Sequence, residues 1–116
     1  MHNLKGNRFP YSCNNCNRDK DKIILQSGEV QYGPYITLDK GIYKVTITGD
    51  NLDKVAFDTY SLDRKEKIEL NNIKVENNLI EYTFRLDKRT KNIEHRIFNN
   101  KEFPITIKSI VRQKIE

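Results

Sequence analysis

The side chains able to do chemistry fall into three groups. Cys13 and Cys16 form a single Cys-x-x-Cys, the spacing of half a structural zinc site, which needs four ligands. No second pair exists, so no metal is expected, and the two thiols are free or locally paired. A redox pair would sit at a helix N-terminus after a strand, whereas this one lies among polar residues rich in Asn and Lys. The second group is aromatic and planar polar: Tyr32, Tyr35, Asp58, Tyr60, Arg85 and Arg96. A tyrosine ring covers the apolar face of a sugar, and a carboxylate or guanidinium takes its hydroxyls in pairs. The same tyrosines would also serve as core or edge residues with one tethered hydroxyl, and the chain has no Trp for a stronger platform. The third group is the run Arg85-Leu86-Asp87-Lys88-Arg89-Thr90-Lys91, with His95 and Arg96 beyond it. Here Lys88, Arg89 and Lys91 are placed to meet phosphate or an acidic protein face, or simply to keep a loop in water.

Nothing reads as catalysis. There is no nucleophile elbow, no Gly-rich phosphate loop and no metal-binding helix motif. The two histidines and scattered carboxylates form no legible acid–base pair. No enzyme and no cofactor are expected.

The elements that must position these groups are strands. From residue 22 onward, short apolar runs are broken by turn residues every 8–12 residues, the spacing of an all-β sandwich or barrel. Tyr43, Val45 and Ile47 alternate with Lys44, Thr46 and Thr48; Ile80, Tyr82, Phe84 and Leu86 alternate with Glu81, Thr83 and Arg85. Phe103, Ile105 and Ile107 repeat the pattern. Period-two alternation places each set on one buried face. Further strands are expected at residues 22–26, 30–38, 55–60, 66–70, 73–76 and 93–98. The second of these is interrupted by Gly33-Pro34 at an edge or bulge, because Pro donates nothing to a ladder. Turns are expected at Asp39-Lys40-Gly41 and Gly49-Asp50-Asn51, breaks at Asn71-Asn72 and Asn77-Asn78 on either side of the strand at 73–76, and a charged loop over residues 87–92. The expected fold is a two-sheet antiparallel β-sandwich of jelly-roll type over residues 22–116. An irregular N-terminal arm would occupy residues 1–21.

The segment Gln31-Tyr32-Gly33-Pro34-Tyr35-Ile36-Thr37-Leu38-Asp39-Lys40-Gly41-Ile42-Tyr43 resembles the Gly-Pro-Tyr, Leu, Gly-x-Tyr stretch of small β-sandwich modules. These occur beside glycosyltransferases in bacterial surface-polysaccharide enzymes and look like carbohydrate-binding modules. Ile93-Glu94-His95-Arg96-Ile97 is similar to their penultimate strand, where the usual form is closer to Val-Glu-Phe-Arg-Ile. The likeness spans roughly residues 28–112 and implies a non-catalytic sandwich with a glycan as its partner.

Composition bounds the rest. A chain of 116 residues, 36% hydrophobic, fills one modest core. No apolar run approaches the roughly 18 residues of a membrane span, nor is there a run of signal-peptide type, so a cytoplasmic protein is expected. The net charge of +5 is spread over both halves, which argues against a dedicated nucleic-acid surface. Two functions remain. One is a carbohydrate-binding module. The other is a small inhibitor from a phage or mobile element, of anti-CRISPR type, that grips a host nuclease–RNA complex through Lys88, Arg89 and Lys91; its short, stand-alone chain suggests it.

Overall fold

The computed structural model describes residues 22–116 in full and, of the N-terminal residues, the backbone of 2–5, 12–13 and 17–19. The described residues form thirteen strands: β1 (His2–Lys5), β2 (Ser12–Cys13), β3 (Asn17–Asp19), β4 (Lys22–Leu25), β5 (Val30–Tyr32), β6 (Pro34–Leu38), β7 (Gly41–Asp50), β8 (Ala56–Ser61), β9 (Glu66–Lys67), β10 (Asn71–Glu76), β11 (Leu79–Leu86), β12 (Thr90–Phe98) and β13 (Ile105–Lys114). A 3-10 turn, Leu52–Lys54, buries Leu52.

Among the described residues the strands form two antiparallel sheets. The first runs β10-β11-β7-β13-β4-β3, with β1 taking the rest of the β13 edge that β4 begins. The second runs β2-β5-β12-β8-β9, and β6 shares one edge of β12 with β5. The break between β5 and β6 falls at Gly33-Pro34, whose peptide bond is cis. The sandwich expected from the alternation is the fold observed.

All eight core positions that period two selects are buried: Tyr43, Val45, Ile47, Ile80, Tyr82, Phe84, Ile105 and Ile107. Each such side chain contributes roughly 1.5–3 kcal/mol by leaving water. Tyr43 stacks on Phe84 and donates its hydroxyl to the Asp39 carbonyl.

Several boundaries differ from the sequence reading. The strand read from Ile42 runs on through Asp50, because Gly49 lets β13 come close: a Cβ there would lie 1.9 Å from the Thr106 carbonyl oxygen. The reversal begins at Asn51, at φ 62. The expected strand at residues 66–70 is shorter, β9 covering Glu66–Lys67 with one further bond from the Ile68 N–H to the Thr59 carbonyl; Ile68 and Leu70 pack on the core as the chain crosses between sheets. Asn71-Asn72 lies inside β10, at a register shift with Asn72 at φ 53, and does not interrupt the strand. Pairing with β6 and β8 draws Thr90, Lys91 and Asn92 into β12, shortening the charged loop. Phe103 is exposed ahead of β13, in a segment held by the buried Asn99 amide, which donates to the Leu25 and Phe103 carbonyls.

The arm is also corrected in part. Its described segments pair as β1, β2 and β3. Backbone groups at a sheet edge pair whatever the side-chain pattern, so the lack of alternation there did not prevent strands. Cys13 lies on β2; Cys16 falls outside the described residues.

Candidate functional site

The outer face of the second sheet carries the densest set of recognition groups. On β12, Ile93, His95 and Ile97 point into the core, so Glu94, Arg96 and Phe98 point out. On β8 the outward set is Ala56, Asp58 and Tyr60. The antiparallel register places Arg96 opposite Asp58 and Glu94 opposite Tyr60. Arg96 then donates twice to Asp58: Nε to Oδ1 and Nη2 to Oδ2, each at 2.7 Å. Its guanidinium carbon lies 4.2 Å from the Tyr60 ring centroid and 5.3 Å from that of Phe98. A planar, charge-assisted pair held against aromatic faces has little freedom left to lose on binding. The Asp58 contact also pushes the Arg96 pKa further up. Lys67 on β9 is a second cation, 3.9 Å from Asp58.

Tyr32 and Tyr35 flank this row across β12. Their rings meet edge-to-face at 6.3 Å. Tyr35 is 40% exposed and adopts φ 62, a left-handed conformation that a bulky side chain rarely takes. Burial of its hydroxyl, then the Glu94 carboxylate, push the phenol pKa up. Glu94 is itself nearly buried. Burial raises its pKa, reinforced by Asp58, while Arg96 and the Gly33 backbone amide pull the other way. A carboxyl whose folded pKa is raised favours the native state most below the unfolded pKa, and that advantage fades as pH rises through the folded value. Glu94→Gln is therefore expected to remove a loss of stability that sets in above the ordinary Glu range of about 4.3. Urea denaturation at a series of pH values measures it; an unchanged pH profile in the variant refutes it.

Beneath the face, a polar network ties the two sheets together. His95 Nδ1 lies 2.9 Å from Thr59 Oγ1, which lies 2.7 Å from the Tyr82 hydroxyl. Nε2 of His95 lies 2.9 Å from Arg112 Nη1 on the opposite sheet. Guanidinium can only donate, so Nε2 accepts and Nδ1 carries the proton toward Thr59. Burial, then the nearby Arg112 charge, hold the His95 pKa well below its ordinary value, so the imidazole is neutral.

The fold thus brings together Tyr32, Tyr35, Asp58, Tyr60 and Arg96. It does not bring Arg85 to them. That residue lies next to the last position of β11 in the other sheet, pointing away from the core and pairing with Asp87 at 3.5 Å. Lys88, Arg89 and Lys91 lie at one end of the molecule around a cleft of about 280 Å³, together with Arg64. Arg96, which the sequence grouped with that basic run, is engaged by Asp58 instead. Glu94, Phe98 and Lys67 belong to the face and were not singled out. The signal for Glu94 and Phe98 was present, since both share the parity of Arg96 on one strand.

The fold has a counterpart among solved structures. The chain superposes on the C-terminal CBM6 of LamC, a marine laminarinase from Zobellia galactanivorans. The TM-score is 0.67, over 97% of this chain and 98% of that one, at 12% sequence identity. At that identity the likeness is one of fold. No family model matches the sequence, and no curated protein matches it. The architecture implied by the Gly-Pro-Tyr segment is therefore present: a sandwich like that of a carbohydrate-binding module.

Proposed function

We propose that this protein is a non-catalytic carbohydrate-binding module that lays a glycan across the outer face of its second sheet. The observation that carries this reading is the assembly of exposed Tyr35 beside the Arg96–Asp58 pair, with Tyr60, Tyr32 and Glu94 around it. The Tyr35 ring offers a stacking surface to a pyranose, and the fixed guanidinium and carboxyls offer donors and acceptors to its hydroxyls. The fold likeness supports the same reading.

Two carboxyls on one face invite a comparison with glycoside hydrolysis, which needs a proton donor and a second carboxylate free to attack or to activate water. Asp58 has both oxygens engaged by Arg96 and is nearly buried, so the arrangement suits binding. Nothing in the fold or the comparisons favours a nuclease complex as the partner.

Laminarin, the glycan from which the structural counterpart's parent enzyme takes its name, is the first probe, followed by bacterial polysaccharide fractions. Tyr35→Ala keeps the backbone demand at φ 62 and removes only the ring. It is expected to weaken binding in calorimetric titration by about 1–3 kcal/mol, the scale of a lost aromatic contact, with the melting temperature unchanged. Failure of the native protein to bind any of these glycans at millimolar concentration would sink the proposal.

A further inference from the structure

The two ends of the sandwich differ in charge. In the first sheet β7 starts where β11 and β13 finish, in the second β12 starts where β8 finishes, and the short turn from Leu38, which pairs with Thr90 on β12, to Gly41 at the start of β7 puts both sets at the same end. One cleft there, of about 340 Å³, is lined among the described residues by Lys40, Arg85 and Lys114, with Glu116 as the acid. A second, of about 280 Å³, is lined among the described residues by Arg64, Lys88, Arg89 and Lys91, with Asp63 as the acid. Arg89 of the second cleft reaches Asp39, which is adjacent to Lys40 of the first, at 3.5 Å, so the two clefts are neighbours. Arg64 is held in place by donating to Thr90 Oγ1 at 2.9 Å. Lys40, Lys88, Lys91 and Lys114 make no ion pair with a described residue. At the opposite end the charges balance: a cleft pairs one acid, Glu76, with one base, Lys108, and nearby Asp50, Asp53 and Glu102 are matched by Lys54 and Lys101, with Lys108 and Lys54 ion-paired to Asp50 and Asp53.

Clefts lined by one sign of charge concentrate oppositely charged ligands. Two adjacent basic clefts suit a ligand with repeated charges better than a single anion. The strands that carry Tyr60 and Arg96 also lead into this end. Lys91 precedes Arg96 on β12 by roughly 16 Å, at about 3.3 Å per residue. A linear glycan longer than that would touch the aromatic face and the basic end together.

We infer that the ligand is an acidic polysaccharide, bearing sulfate, phosphate or carboxylate groups, whose charges are held at this basic end. This rests on the glycan reading and adds the ligand's charge to it.

The test uses dextran sulfate and uncharged dextran, which share a backbone, with laminarin for the aromatic face. Two variants change the net charge equally. One is Lys40→Glu, Lys88→Glu, Lys91→Glu at the basic end; the other is Lys54→Glu, Lys101→Glu, Lys108→Glu at the far end. The native chain is expected to prefer dextran sulfate over dextran, and increasingly so at low salt. The basic-end variant should lose at least tenfold in dextran sulfate affinity, and the far-end variant less than threefold. Both should bind laminarin as the native chain does. Equal losses in the two variants would show a net-charge effect alone and overturn the inference. So would tighter binding of a single-stranded DNA of matched charge, which would make the partner a nucleic acid. Laminarin binding without any preference for dextran sulfate defeats the inference and leaves the glycan reading standing. Absence of binding to every polysaccharide removes both.

Discussion

Replacing His95 with Ala is expected to cost about 3–5 kcal/mol of folding stability, the range for emptying a large buried position. The loss has two sources. The fully buried ring leaves a cavity that rigid strands on both sides cannot close. Its removal also strips one partner each from Thr59 and from Arg112, a residue 1% exposed, and each hydrogen bond lost by a buried group leaves part of its desolvation cost uncompensated. The same residue sets a pH dependence. In the native chain His95 stays neutral because burial and Arg112 depress its pKa; in the unfolded chain it takes up a proton below about pH 6.5. The unfolded state then binds more protons, so stability falls with falling pH, by up to about 1.4 kcal/mol per pH unit. Glu94 acts in the opposite sense, since its raised pKa favours the native state at lower pH. Urea denaturation from pH 5 to 8 separates the two. His95→Gln should abolish the acid-side loss and leave only the Glu94 slope. A native-like acid-side loss in that variant would show that another group carries it.

Arg96→Ala is expected to abolish glycan binding and to cost about 2–3 kcal/mol of stability, below the usual 3–5 for breaking a buried pair because both partners keep some contact with water. Asp58 would be left nearly buried, with only Lys67, at 3.9 Å, to answer its charge. The Asp58→Ala, Arg96→Ala double variant should regain most of the stability, because no isolated charge remains. It should not regain binding. A double variant as unstable as the sum of the singles would show that the guanidinium stabilises through Tyr60 and Phe98 and not through Asp58.

What the sequence determined by itself was the direction of side chains along each strand. Successive Cβ atoms alternate by local geometry, so Tyr43, Val45 and Ile47, or Ile80, Tyr82 and Phe84, could be assigned to one face without knowing their neighbours. That sufficed for the sandwich and for most of its core. The resemblance on the penultimate strand pointed the same way: His95 stands where the usual form has Phe, an inward position, and the structure buries it. Grouping His95 with the basic run overlooked that parity.

The tertiary structure decided which strands share a sheet and in what register. That Arg96 faces Asp58, 38 positions earlier in the chain, follows from non-local backbone pairing between β12 and β8. The register that wins is the one burying both inner faces at once, and a slip of one residue would have turned His95 outward and Arg96 inward. Arg85 shows the same limit. Its parity on β11 was read correctly as outward, but the sheet it belongs to, and so its distance from Tyr35 and Tyr60, depended on pairings that no local pattern encodes. The two basic clefts likewise exist only because turns remote in sequence meet at one end of the sandwich. Local geometry fixes which way a side chain points; the choice among long-range pairings, made by the burial of the whole chain, fixes what it meets.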